Sequence, residues 1–163
     1  MILTERLALE PLGPEHVAGL ARILGDPRVG ATLGGVQDEA WTRMHVASVQ
    51  EAWARDGVNW WAALDRTTGE MVGRGGLSRK PIDGKVQVEA GWTIAPERWG
   101  QGLATELGAA AIEAARGHGI EELVSITLPH NAASRRVMEK LGFAYDRDID
   151  YWGWEHVLYR RAV

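Results

Sequence analysis

Cysteine occurs at none of the 163 positions, so the chain has no disulfide, no thiolate metal site and no thiol to carry a covalent acyl intermediate. Long apolar runs are missing too. No uncharged apolar stretch reaches the roughly 18 residues a membrane helix needs, and the opening MILTERLALEPL carries charges where a secretory leader is apolar. Basic residues are not in excess: 18 Lys and Arg against 22 Asp and Glu leave a net charge of −4. That balance gives no whole-chain attraction to nucleic acid or anionic membrane. A cytoplasmic protein is expected, folded as one domain over residues 1–163 with a real core.

The most informative stretch is Lys85 to Leu107, KVQVEAGWTIAPERWGQGLATEL. Val86 and Val88 alternate with polar neighbours, and the apolar content rises through Trp92 and Ile94, as in a strand that becomes well buried. Pro96 ends it, because proline donates nothing to a sheet ladder. Then Trp99, Gly100, Gln101, Gly102, Leu103, Ala104 and Thr105 open an alanine-rich helix. Without side chains at Gly100 and Gly102, a ligand can approach the free N–H groups and positive dipole end of that helix, a setting suited to phosphate. Two better-known phosphate loops are ruled out. A dinucleotide fingerprint needs glycine where Thr105 stands, and Gly-Lys-Ser/Thr appears nowhere. A turn that needs two glycines only for tight packing is the alternative.

The rest of the chain reads in order. Leu3 to Glu10 alternates around Leu7 and Leu9 as a first strand; Pro14 starts a helix whose apolar face is Val17, Leu20, Ile23 and Leu24. Gly25–Gly35 reads as a glycine-rich loop, and Asp38 caps a second helix to about Arg55. Asn59–Arg66 and Met71–Arg79 form a hairpin about Thr67–Glu70, and Lys80–Gly84 turns the chain into the central strand. After the helix, about Gln101 to Arg116, Leu123–Leu128 is a short strand. Asn131 caps a helix ended by Gly142 in a left-handed position, with Phe143 as its hydrophobic contact. Phe143–Asp150 and Trp154–Arg161 are the last strands. The predicted order is β-αα-βββ-α-β-α-ββ: a mixed α/β fold with about seven strands and about four helices.

Two stretches together carry a resemblance. Gly91–Pro96 followed by RWGQGLATE resembles the acyl-CoA-binding motif of the GNAT N-acetyltransferases, and Asn131–Phe143 is similar to that family's second motif. Thr4-Glu5-Arg6-Leu7 and the Asp65…Thr68-Gly69 hairpin resemble its ribosomal-protein-type, RimJ/RimL-like branch. The resemblance implies the GNAT fold and transfer of an acetyl group from acetyl-CoA to a primary amine, on a small molecule or a protein N-terminus. It implies direct transfer in a ternary complex, which agrees with the lack of cysteine. The pyrophosphate would lie on the N–H groups from Trp99 to Thr105, and the pantetheine arm along Trp92, Thr93 and Ile94. Asn131 matches a cofactor-bonding position, although a helix cap explains it equally. Backbone dipoles would hold the anion, so no metal is expected. A homodimer is frequent in the family.

Acetyl transfer to a charged amine needs a base, an oxyanion donor and a fate for the thiolate. The resemblance points to Glu89 on the central strand as base, the alternative being a solvated or ion-paired glutamate. A backbone N–H of that strand is the oxyanion donor. Many members place a tyrosine where this chain has Met138, which donates no proton; Ser134 is the replacement, or merely a helix-start serine. That vacancy leaves room for a different reading, a catalytically silent acyl-CoA-binding module. Of eight tryptophans, Trp60, Trp61, Trp152 and Trp154 alternate on predicted strands, so half should face inward; Trp41 and Trp53 are candidates for an acceptor wall. His16, His45, His118, His130 and His156 lack metal-ligand spacing and read as surface residues.

Overall fold

The computed structural model describes every residue, Met1–Val163. Eight strands form one sheet in the order β1-β2-β3-β4-β5-β6-β8-β7. They are β1 (Ile2–Leu3), β2 (Leu7–Pro11), β3 (Trp60–Asp65), β4 (Met71–Ile82), β5 (Lys85–Ile94), β6 (Glu122–Thr127), β7 (Ala144–Tyr151) and β8 (Trp154–Ala162). Five α-helices flank it: α1 (Val17–Leu24), α2 (Pro27–Leu33), α3 (Glu39–Asp56), α4 (Leu103–Gly117) and α5 (Ala132–Lys140). No helix is long and apolar enough to cross a membrane.

The counts exceed the expected seven strands and four helices for two local reasons. Thr4 folds the first strand back on itself, with its backbone N–H donating to the Leu7 carbonyl and its hydroxyl oxygen accepting the Leu7 N–H, so Ile2–Leu3 pairs with Ala8–Leu9 as a separate strand. The glycine-rich loop at 25–35 contains α2: Asp26 accepts a bond from the Arg28 N–H, Pro27 sits at the first helical position, and Gly34 closes the helix at φ 81°.

Periodicity places the two main cores on opposite faces. On one, Leu103, Leu107, Ala111, Ile112 and Ala115 of α4 and Met138 of α5 pack against Leu77, Ala90 and Ile94. On the other, Leu20, Ile23, Leu24, Val29, Val46 and Val49 from α1–α3 cover Ala62 and Met71. Burying each large aliphatic side chain contributes about 1.5–3 kcal/mol. Side chains of β5 alternate accordingly: Val88, Ala90, Trp92 and Ile94 belong with α4, while Glu89, Gly91 and Thr93 lie on the α3 face.

Strand β4 runs longer than predicted, through Ile82, despite Pro81. Its partner β3 ends at Trp60, opposite Gly76, so beyond Gly76 one edge of β4 is free and the missing N–H of Pro81 breaks no bond there. Lys80 therefore lies in a strand facing the site, rather than in a turn. At the other hairpin, Trp152 (φ 57°) and Gly153 (φ 78°) are the two central residues of the β7–β8 turn, so Trp152 belongs to neither strand. Trp152 is 82% and Trp154 57% exposed, while Trp61 is buried and Trp60 packs partly buried against the core, so about half of the four tryptophans face inward, as expected.

Close helix-on-sheet packing yields a prediction. A Cβ on Gly75 would lie 2.1 Å from Leu107 Cδ2 and 2.7 Å from the Gly91 carbonyl, whereas one on Gly117 meets nothing within 4 Å. Chemical denaturation should show Gly75→Ala costing about 1–3 kcal/mol through overpacking. Gly117→Ala should be neutral, or stabilising by up to about 1 kcal/mol.

Candidate active site

Strands β5 and β6 are the one parallel pair of the sheet, and they share a single register pair, Glu89↔Val124. From Ala90 to Ile94 the edge of β5 that faces away from β4 has no strand partner. The gap opens toward the N-terminus of α4. There Gly100 (φ 74°) and Gly102 (φ 80°) turn in the left-handed region, and the N–H groups of Gly100, Gln101, Gly102, Leu103, Ala104 and Thr105 donate to no acceptor in the protein. The next N–H, of Glu106, already bonds the Gly102 carbonyl. Six consecutive free donors at the positive end of a 15-residue helix form an anion cradle.

The cradle is held from the side by residues that sequence reasoning did not assign. Arg6 donates Nη1 to the Gln101 carbonyl (2.6 Å) and Nε to Glu106 (2.8 Å), and Thr4 Oγ1 donates to Glu106 (2.6 Å). The Trp99 indole N–H donates to the Ile94 carbonyl at 2.7 Å, tying the loop to β5. Arg98 pairs with Asp65 at 2.8 Å, where its guanidinium holds the Asp65 carboxyl below the usual range. Thr4 and Arg6 stand in the motif at 4–7, but their contact with residues a hundred positions away has no local signal.

Side chains divide the predicted cofactor residues. Leu103 and Ile94 are buried in the core, so only their backbone groups are open to contact; Trp99 is exposed and Trp92 packs over Gly108. Asn131 is the cap of α5: its Oδ1 accepts from the Ser134 N–H (3.2 Å) and its Nδ2 donates to Thr127 Oγ1 (3.0 Å). Ser134 is half-buried with a hydroxyl that bonds nothing in the protein, while Met138 is fully buried.

Glu89 is 4% exposed and faces α3. Its Oε2 receives Lys80 Nζ at 2.5 Å and Ser78 Oγ at 3.3 Å, while Oε1 carries no partner. The ion-paired alternative is thus the arrangement found, with one carboxylate oxygen left open. Around it stands a polar cluster the sequence did not reveal. Buried Arg74 reaches His45 Nε2 through Nη1, and its guanidinium lies 5.0 Å from the Trp60 ring. Burial pushes Arg74 down to about 10, opposed by the Glu89 charge. His45 is driven to about 3, by burial first and then by the charges of Arg74 and Lys80, so at neutral pH its ring is uncharged. Lys80 Nζ sits 5.9 Å from the Trp60 ring and 5.6 Å from that of Tyr151.

Three histidines depart from the surface assignment, among them His156, half-buried and edge-on to Tyr151. His16 is buried and accepts the Gly13 N–H at 3.0 Å, and His45 is half-buried against Trp41, with ring centroids 4.9 Å apart. Of the two aromatic residues suggested as an acceptor wall, Trp41 stands at the cluster. Trp53 instead bonds the Trp60 carbonyl (3.0 Å) and packs between both cores. Trp61 is core, so its neighbour Trp60 is the one at the site. A lone Arg inside the sequence Gly73-Arg74-Gly75-Gly76 was the available signal for the cluster.

Comparison with known proteins agrees with this geometry. The model of the acetyltransferase (GNAT) domain family matches residues 6–144. The Bacillus subtilis (strain 168) protein YkkB, itself uncharacterized, is 31% identical over 98% of this chain and 94% of its own length. An acetyltransferase of Agrobacterium tumefaciens str. C58 has a similar structure at 27% identity, TM-score 0.85, covering 98% of this chain and 92% of that one. The ribosomal L7/L12 α-N-protein acetyltransferase RimL, solved in complex with coenzyme A, shares the fold at 20% identity, TM-score 0.81, covering 99% and 97%. The free backbone donors beside the β5–β6 gap and a family match over most of the chain converge: this protein belongs to the GNAT acetyltransferases, enzymes that transfer an acetyl group from acetyl-CoA.

Proposed function

We propose that the chain is an N-acetyltransferase that moves the acetyl group of acetyl-CoA directly to a primary amine in a ternary complex. The observation that carries this reading is the position of Glu89: it stands where β5 and β6 part, with the cradle at the open end of the same gap. In this reading the pyrophosphate lies on the N–H groups of Gly100 to Thr105, and the pantetheine arm adds itself to the free edge of β5 along Trp92–Ile94. RimL, bound to coenzyme A in its solved structure, makes the ribosomal-protein-type branch the natural frame, with a small-molecule amine or a protein N-terminus as acceptor.

The chemistry follows from the groups present. Glu89 Oε1 takes a proton from the ammonium, directly or through a water, while Lys80 and Ser78 steady the other oxygen. The free amine then attacks the thioester carbon. A backbone N–H on the free edge of β5 receives the oxyanion, and collapse of the tetrahedral intermediate expels the CoA thiolate. The nitrogen of the collapsing intermediate still carries a surplus proton, and the uncommitted Ser134 hydroxyl relays it to that thiolate, since Met138 is sealed in the core. Asn131 supports the cofactor from the start of α5. The competing reading, a silent acyl-CoA-binding module, predicts binding without thiol release.

Two outcomes are expected. Glu89→Gln should lower kcat at neutral pH by about a hundredfold or more with little change in acetyl-CoA affinity, and the deficit should shrink as pH rises and solvent deprotonates the amine. Unchanged turnover would remove Glu89 as base. Thr105→Asp adds an acid to the first turn of α4, where the helix dipole favours it, so thermal stability should hold or rise. Calorimetry should nonetheless show acetyl-CoA binding weakened by about tenfold or more, because the new carboxylate repels the pyrophosphate. Undiminished affinity would place the cofactor elsewhere. Gly102→Val is the poorer test, since its φ of 80° strains any side chain.

A further inference from the structure

Arg74 is the one arginine buried in this protein, at 8% exposure, and it has no carboxylate partner. Its Nη1 is taken by His45. Its Nε is out of contact with solvent and unpaired, and Nη2 makes no hydrogen bond either. Nε and Nη2 share one edge of the guanidinium, the edge that matches the two oxygens of a carboxylate. Leaving a buried charged donor unpaired is costly, and such a group is kept where something outside the folded chain satisfies it.

Charge balance points the same way. On this face Arg74 and Lys80 are two cations against the single carboxylate of Glu89, and Lys80 already occupies Glu89 Oε2 at 2.5 Å. His45 adds no charge, because its ring stays neutral beside them. The site is therefore one negative charge short. A polyamine would bring further positive charge, and a protein N-terminus has an amide where the deficit asks for an anion.

Resting on the acetyl-transfer reading above, we infer that the acceptor is an amine that also carries a carboxylate, a free amino acid or a similar amino-carboxylic acid. The Nε/Nη2 edge of Arg74 holds its carboxylate and leaves its amine toward Glu89. The carboxylate meets Nη2 first, and a small turn of the guanidinium over the Trp60 ring brings Nε to the second oxygen. Register supports one shared pocket: Arg74 lies opposite Thr93 and Ser78 opposite Glu89, all on the α3 face of adjacent strands. Trp41 stacked on His45 walls one side, and Tyr151 closes over Lys80 on the other. Arg74 is thus a specificity-determining residue.

The test is thiol release from acetyl-CoA with the free L-amino acids, each paired with its own amide, alongside spermidine and a short unblocked peptide. At least one amino acid should exceed its amide in kcat/KM by about a hundredfold, because a site built for a charged partner rejects the analogue lacking it. In Arg74→Gln, which removes both the charge and the fork, that ratio should fall toward one through KM, with acetyl-CoA affinity unchanged. Arg74→Lys, which keeps the charge and loses the fork, should lower the ratio only part of the way and serves as the test if the glutamine variant does not fold. Preference for the amides, spermidine or the peptide overturns the inference and leaves the transfer reading standing, as does a ratio unmoved in the variants. Turnover of no amino acid overturns it too. Failure to bind acetyl-CoA at all removes the transfer reading, and the inference falls with it.

Discussion

Parallel strands that touch at one register pair and then diverge leave backbone donors and acceptors facing a gap, and a folded chain must give such groups partners. Here β5 and β6 meet at Glu89↔Val124 and separate toward Ile94, and the rest of the architecture is arranged about that separation. Helix α4 fills the space beneath β4 and β5 through Gly75 and Gly108, which let its side chains and Trp92 approach closely. That packing fixes where the mouth of α4 stands relative to the gap. Arg6 and Thr4, from the β1–β2 edge of the sheet, then hold Glu106 and the Gln101 carbonyl in place. An edge with free backbone groups and a helix end with free N–H groups meet at one point. In the proposed reading an extended thioester with a pyrophosphate at its end satisfies both.

The opposite face of the same strands is dominated by charge. Glu89, Lys80, Arg74 and neutral His45 form a contiguous set whose members depend on one another: burial, reinforced by the two cations, keeps His45 uncharged, and Glu89 opposes the loss of charge that burial imposes on Arg74. Buried ionic groups stabilise a fold poorly compared with apolar replacements, so stability alone does not account for this set. In the proposed reading the two faces divide the labour, with the cofactor addressed by backbone and the acceptor by side chains. This division explains why fold and cofactor are shared across a family while the acceptor varies.

That division also decides what could be read in the sequence. The cradle lies within one local stretch, and Gly100, Gly102 and the apolar repeat of α4 announce it directly. The cap at Asn131 and the left-handed Gly142 are local signals too, and both hold. The acceptor side could not be read that way. Lys80 was hidden because Pro81 signals a turn, and only the early end of β3 makes a proline harmless there. Arg74 and His45 are joined across 29 positions and Thr4 to Glu106 across 102, contacts that periodicity cannot express. Trp152 and Trp154 fit an alternating strand on paper, but a two-residue turn took Trp152 out of it. Helix α2 was missed because its glycines suggested a loop, although Asp26-Pro27 is a sound helix start.

The claim on which the rest stands is that coenzyme A occupies the β5–β6 gap with its pyrophosphate on the mouth of α4. Amide resonances followed by NMR during titration with CoA test it most directly. The account predicts saturable shifts concentrated in Gly100–Thr105 and Ala90–Ile94, with the Trp152–Gly153 turn unmoved. Saturation with those two segments unperturbed, or shifts centred on any other surface, would contradict it.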